Sequence, residues 1–416
     1  MILGLSIDAW ITIFTIFGVF LTLLLTKVRA EVAFFTAMAV LCVTGVLDFE
    51  TSFKGLATSS VLLVAVLFIV IAGLRYAGAL EWLVSHLMGQ PKTHAMALVR
   101  LMLPVGILSS FMSNTATTAL FQNVVKIWSK RLHISPSKLL IPLAYAASLG
   151  GLLTLIGTPP NLIISSQYAI DSGVYMNLLE PFPVGICVML VSVVVVILMR
   201  NVLPVRDGQD DAQPDLIDVK PDKRKTAISL VILGAMLVAS SCGVLPLTSC
   251  CLIAGMLMVM TKCCTSEQAF QEVNWRVIII FSGSICIGTA IDKTGLAKVV
   301  VDNILNLSSN PVVILTVLCV VAAILTELLS DTGCAAMIYP IAYEAAVTLN
   351  VNPLTFVIAL MMSVSNSYAT PIATPPNMIV YASGGYRFAD FARIGIPLKV
   401  VTLATIIGAT LFFYPL

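Results

Sequence analysis

Two polar motifs recur in this chain, in the same order, inside stretches that are otherwise continuously apolar. Ser113-Asn114-Thr115 is followed by Thr158-Pro159-Pro160-Asn161, and Ser330-Asp331-Thr332 is followed by Thr374-Pro375-Pro376-Asn377. The offset is 217 residues between the first motifs and 216 between the second. Each copy sets small hydroxyl and amide residues, then paired prolines, where a membrane helix would have to break. A helix broken inside a bilayer exposes backbone groups that can hold something polar.

Composition decides the solvent. Hydrophobic residues make up 59% of the 416 positions and charged residues 11%, with a mean hydropathy of +1.02, whereas a soluble domain carries about 25% charged residues. Apolar runs of about 20 residues without strand-like alternation select helices rather than a closed barrel. The chain reads as an all-α polytopic membrane protein. A net charge of +2 points to no nucleic-acid partner, and the basic residues serve better as topology signals. The first span, 7–26, lacks a basic leader and a small-residue cleavage site, so it reads as a retained helix with the mature chain starting near Met1. The ten cysteines lie mostly in or beside apolar spans without CxxC spacing and read as small packing residues. The pairs Cys250-Cys251 and Cys263-Cys264 would suit a thiol-redox enzyme only if exposed and electropositive.

Apolar runs divide the chain into two halves of the same order. The first, 1–200, contains scaffold spans within 7–79, a segment 95–130 with Ser113-Asn114-Thr115 at its middle, a span 139–169 broken at the prolines, and a span 181–200. A hydrophilic linker, 201–226, reads as a flexible cytoplasmic strap. The second half, 227–416, contains scaffold spans within 227–292, a segment 310–347 around Ser330-Asp331-Thr332, a broken span 352–382, and a span 394–414. Basic residues flank both ends of 95–130, whereas no Lys or Arg lies between Lys298 and Arg387. By the positive-inside rule the first segment is a re-entrant hairpin from the cytoplasm and the second a re-entrant hairpin from outside. Five transmembrane crossings plus one hairpin per half then force two inverted-topology repeats. Of the 23 Lys and Arg, 19 fall on the side so assigned to the cytoplasm, three lie outside, and Lys399 lies within the last span.

Isolated Ser, Thr, Asn or Gly in apolar spans usually serve helix packing. Here they cluster at hairpin tips and beside proline pairs, in two matched copies. Broken helices offer carbonyls to a cation and half-helix N-termini to an anion.

In these residues the chain resembles the divalent anion/sodium symporter family of the ion transporter superfamily. The resemblance is carried by Ser109-x3-Ser113-Asn114-Thr115 with Gly157-Thr158-Pro159-Pro160, and by Thr326-Glu327-x2-Ser330-Asp331-Thr332 with Ala373-Thr374-Pro375-Pro376. It implies a secondary active transporter in the cell (inner) membrane, a homodimer with scaffold and transport domains and an elevator-type mechanism. It implies symport of a di- or tricarboxylate or sulfate with sodium as coupling ion and no other cofactor. On that resemblance Ser109, Ser113, Asn114 and Gly157 form one sodium site, and Thr326, Asp331 and Ala373 a second. Ser113, Asn114, Thr115, Thr158, Ser330, Asp331, Thr332, Thr374 and Pro375 face the anionic substrate.

Asp331 departs from the family's Asn. Three readings stay open: it strengthens a sodium site, it is a protonated carrier, or the substrate is not a dianion. Glu327, a second intramembrane acid, fits the family pattern and reads as a brace for the hairpin, and Asn366 and Thr370 are candidates to line the cavity. With no Lys or Arg expected at the midplane, an anion needs neutral donors, helix dipoles and bound cations, so sodium binds first. The alternative function is sodium/proton antiport, or proton-coupled anion transport, using Asp331. An enzyme would need a nucleophile, metal cluster or cofactor motif. His86, His94 and His133 show no metal-ligand spacing. A channel accords less well with an inverted repeat and broken helices.

Overall fold

The computed structural model describes residues 6–25, 28, 30–57, 59–78, 91, 93–206, 222–241, 245, 247–273, 275–296, 299, 310–327, 331–371 and 373–416. Ser330 and linker residues 207–221 lie outside them. The described residues are helical and contain no strand. The first half runs α1 (Ile7–Leu25), α2 (Ala30–Val43), the short α3 (Phe49–Phe53), α4 (Ser59–Tyr76), α5 (His94–Ser109), α6 (Asn114–Arg131), α7 (Ser137–Gly150), α8 (Pro159–Ser172) and α9 (Phe182–Leu198). The second runs α10 (Lys223–Ser241), α11 (Leu247–Met260), the short α12 (Ser266–Glu272), α13 (Trp275–Lys293), α14 (Pro311–Leu325), α15 (Asp331–Thr348), α16 (Pro353–Val364), α17 (Pro375–Gly384) and α18 (Phe388–Phe413). Each helix of the first half has its counterpart nine helices later, including the short pair α3 and α12, which the hydropathy pattern does not reveal.

The helices turn the usual soluble pattern outward. Phe14, Phe17, Met256, Met260 and Phe412 are exposed, whereas Thr12, Ser192, Thr402 and Thr410 are fully buried. Thr12, Ser192 and Thr402 return their hydroxyls to the carbonyl four residues back, of Asp8, Val188 and Leu398, so they put no unpaired donor into the interior. An exposed apolar belt of this kind needs lipid as its solvent. Among the described residues, only α9 with its 3₁₀ extension and α18 are long and apolar enough to cross a membrane by themselves. Helices α5, α7, α8, α14, α16 and α17, of 10–16 residues, are cut short by the polar tips and the proline pairs.

Contacts between the halves are reciprocal. Helix α2 packs on α13, and α4 packs on α11. Helix α6 meets α17 as α8 meets α15, and α7 meets α17 as α8 meets α16. Exchanging the halves maps this contact set onto itself, as a two-fold relation between two repeats requires. The last helix of each half seats against the break of its own half through a glycine. A Cβ at Gly185 would come within 2.6 Å of the Leu152 carbonyl oxygen, and one at Gly395 within 2.0 Å of the Tyr368 carbonyl oxygen. The start of the linker is fastened rather than loose. Arg206 donates to both carboxylate oxygens of Asp390, at 3.0 and 2.9 Å, and its N–H donates to Ser137 Oγ at 2.9 Å.

Single cysteines at Arg131 and Thr348, the outer ends of α6 and α15, test the orientation of the halves in a cysteine-free background. Impermeant maleimide should label the first only from the cytoplasm and the second only from outside. Labelling of both from one side would rule out opposite insertion.

Candidate functional site

Four half-helices begin at one place. Asn114 opens α6, Pro159 opens α8, Asp331 opens α15 and Pro375 opens α17. Their first residues line a single cavity of about 190 Å³, formed by Ser113, Asn114, Thr115, Gly157, Thr158, Pro159, Asp331, Thr332, Thr374, Pro375 and Pro376, with Phe68, Ile71, Ile156 and Leu162 as apolar wall. Proline suits the first helical position, where its missing N–H costs nothing. Thr158 (φ −146°, ψ 144°) and Thr374 (φ −138°, ψ 150°) precede the two proline pairs in the same extended conformation, and neither hydroxyl caps its helix. The buried Thr374 Oγ1 has no protein partner. Helix N-termini carry partial positive charge and unused N–H groups. Four of them around one cavity favour an anion. Asp331 is the one charged side chain among the described lining residues.

Every described residue assigned to the substrate from sequence thus lies on this cavity. Asp331 is half-buried there, and its Oδ1 accepts from the Thr332 N–H at 2.8 Å and the Thr332 hydroxyl at 3.2 Å. A carboxylate at a helix N-terminus is favourably placed.

The residues assigned to cations come together differently in the two halves. One end of the Asn114 carboxamide lies 2.8 Å from Ser109 Oγ, 2.9 Å from the Ala147 carbonyl oxygen and 3.2 Å from that of Gly157. With the amide nitrogen at that end, Asn114 donates to these oxygens. With Oδ1 there, four oxygens converge, and a cation satisfies such a cluster. A Cβ on Gly151 would lie 2.9 Å from the Asn114 amide, so glycine there makes room for it. In the second half the fully buried Thr326 hydroxyl donates to the Val364 carbonyl at 2.7 Å and lies 2.9 Å from Ser367 Oγ. Asp331 turns instead to Thr332. Ala373 is buried beside Thr374 at the end of the break.

The breaks themselves are held by residues that the motif reading did not assign. Asn161 Nδ2 donates to the carbonyls of Gly151 (3.0 Å) and Thr154 (2.9 Å), and Asn377 Nδ2 to those of Ser367 (3.1 Å) and Thr370 (3.0 Å). These are the same two positions relative to each asparagine, which explains why the fourth residue of Thr-Pro-Pro-Asn recurs. Glu327 braces not its own hairpin but the neighbouring break. Its Oε1 accepts the N–H groups of Tyr368 (3.1 Å) and Ala369 (3.0 Å), its Oε2 that of Thr370 (3.0 Å), and Lys399 Nζ lies 2.6 Å from Oε1. The expectation of no basic group at the midplane therefore needs correcting: Lys399 reaches into the break as a partner of Glu327. Two opposite charges within apolar spans were the available signal. Asn366 and Thr370 do not line the cavity. Asn366 pairs with the Lys399 carbonyl and the Thr402 hydroxyl, and Thr370 serves the break with its backbone. Cys250, Cys251, Cys263 and Cys264 are free and buried, so the redox reading lacks exposed thiols.

Substitution separates support from ligand contact. Asn377→Ala strips donors from two buried carbonyls and should lower stability by about 2–4 kcal/mol, read as a lower Tm in detergent. Thr374→Ala should leave Tm unchanged and weaken anion affinity, since that hydroxyl has no protein partner to lose. Equal Tm losses in the two variants would contradict this division.

Comparison with known proteins bears on what such a site serves. The citrate transporter family model (CitMHS) matches residues 20–361 and 283–415. The chain is 37% identical to an uncharacterized transporter of Synechocystis sp. over 195 residues, covering 46% of this chain and 31% of that protein. It is 26% identical to the sodium-dependent dicarboxylate transporter SdcS of Staphylococcus saprophyticus over 361 residues, covering 76% of this chain and 69% of the relative. Its fold is similar to the crystal structure of the Alcanivorax borkumensis YdaH transporter, at a TM-score of 0.65 and 13% identity over 99% of both chains. With a family match over most of its length, the chain belongs to the citrate transporter family, in the ion transporter superfamily to which its motifs point, and is a polytopic membrane transporter rather than an enzyme.

Proposed function

We propose that this transporter moves a small anion, a di- or tricarboxylate or sulfate, across the cell (inner) membrane by sodium-coupled symport. The observation that carries the reading is the meeting of four half-helix N-termini on one cavity without a Lys or Arg among its described lining residues. Such a site attracts an anion through helix dipoles, and through backbone N–H groups at α6 and α15, since the proline pairs leave the first two positions of α8 and α17 without them. It also holds the carboxylate of Asp331. Like charges a few ångströms apart in a low dielectric repel by several kcal/mol, so a dianion enters favourably only when cations are already bound. Sodium binding first to the oxygens of Ser109, Ser113, Asn114 and Gly157, and of Thr326, Asp331 and Ala373, supplies that charge. The relative named as a sodium-dependent dicarboxylate transporter agrees with this pairing of ion and anion.

In the same reading the halves insert with opposite orientation and re-entrant hairpins. Helices α5–α9 and α14–α18 form the transport domain and α1–α4 with α10–α13 much of the scaffold, in a homodimer. Supporting an elevator-type movement, α4 presents Phe68 and Ile71 to the cavity, an apolar wall past which a polar site can slide without losing hydrogen bonds.

Asp331 supports one other reading, proton coupling, because its matched position in the first half is the neutral Asn114 and its carboxylate faces the cavity. Reconstituted vesicles distinguish the two. An inward sodium gradient should drive uptake of labelled succinate, citrate or sulfate. Asn114→Ala should abolish it with membrane insertion intact, and Asp331→Asn should remain active with lower sodium affinity. Uptake driven by a pH gradient alone and lost in Asp331→Asn would move the assignment to proton coupling.

A further inference from the structure

The two halves differ in fixed charge behind their breaks. In the second half Glu327, in the turn two residues past the end of α14, points its carboxylate at three successive backbone N–H groups, those of Tyr368, Ala369 and Thr370. Lys399, on α18, closes the cluster from the far side, with Nζ 2.6 Å from Glu327 Oε1 and both side chains almost fully enclosed. In the first half the offset of 217 places Ser110 at the position of Glu327. Gly185 and Gly395 abut the two breaks in the same way, and four residues beyond them stand Met189 and Lys399. The first half thus has a hydroxyl and a thioether where the second has a carboxylate and an ammonium. Its break is tied instead by the Thr154 hydroxyl, which donates to the Ser110 carbonyl.

A carboxylate cradled by three N–H groups in a lipid-embedded core still carries a full charge. Left unpaired, it makes a large electrostatic demand that a nearby cation would relieve. The residue before it, Thr326, stands among the oxygens of Val364 and Ser367. A mobile cation arriving there would meet Glu327 as well. Lys399 already meets that demand and cannot leave.

We propose that the Lys399 ammonium is a fixed counter-ion that takes the place of one further coupling cation beside Glu327, next to the sodium position of Thr326, Asp331 and Ala373, lowering by one the number of sodium ions moved with each anion. This rests on the sodium-coupled reading above. It makes Lys399 a residue that sets stoichiometry through Glu327 without touching the anion.

The test measures the ratio of sodium to anion flux, from reversal potentials in reconstituted vesicles, together with the sodium dependence of Tm in the absence of anion. Lys399→Met installs the residue of the first half. It should raise the flux ratio by one ion and steepen the sodium dependence of both uptake and Tm. Lys399→Arg, and the double substitution Glu327→Gln with Lys399→Met, should both keep the parent ratio, the first by retaining the charge and the second by removing the demand for it. If Lys399→Met does not accumulate, Lys399→Gln keeps a donor for Glu327 and carries the same measurements. A parent ratio and parent sodium slope in the neutral variants, with only lower Tm or lower rate, would reduce the pair to a brace and overturn the proposal. A parent protein whose anion uptake ignores sodium would overturn this proposal and the coupled reading together.

Discussion

A helix that stops inside a bilayer leaves backbone N–H and C=O groups with no water to turn to, and the protein must answer each of them from its own side chains or from what it carries. Four such interruptions meet at the centre of this transporter. The carbonyls of the two breaks are answered by Asn161 and Asn377, each spanning the same pair of positions. The N–H groups of the second break are answered by Glu327. At the cavity stand the N-termini of α6, α8, α15 and α17, together with the buried hydroxyl of Thr374, which has no protein partner.

The duplication repeats the framework but not its electrostatics. Gly185 and Gly395 bring the last helices onto the breaks, and the proline pairs start α8 and α17 from the same threonine conformation. At three matched positions the second copy carries charge, as Asp331, Glu327 and Lys399, where the first has Asn114, Ser110 and Met189. In a low dielectric a single fixed charge outweighs several neutral contacts. The two proposed cation positions are therefore not equivalent: the first would be built from amide, hydroxyl and carbonyl oxygens, and the second would stand beside acids, one of them already paired with an ammonium.

Much of this was legible before any coordinates. The segments 95–130 and 310–347, each read as interrupted at a polar centre, are the helix pairs α5–α6 and α14–α15, because long apolar runs with a polar centre leave few alternatives. The described cavity residues were legible for the same reason: polar groups in lipid are costly unless used. What escaped were relations that sequence spacing does not encode. Glu327 and Lys399 meet across 72 positions with no periodicity to announce it. Asn366 lies close to Thr374 in sequence, yet it turns its side chain to α18, since the backbone of a break has no fixed face. The helices α3 and α12, of 5 and 7 residues, are too short for a hydropathy window to register.

The central claim is that anion and cation occupy the same meeting point of broken helices, each making room for the other's charge. It is tested most directly by following the Tm of the purified protein as citrate, succinate and sulfate are titrated with sodium present and with sodium replaced by choline. A ligand bound only by the folded state raises Tm with its occupancy. The account predicts that at least one of these anions stabilises the protein in sodium and that the shift vanishes in choline and in Asn114→Ala. An equal shift in sodium and choline would contradict it.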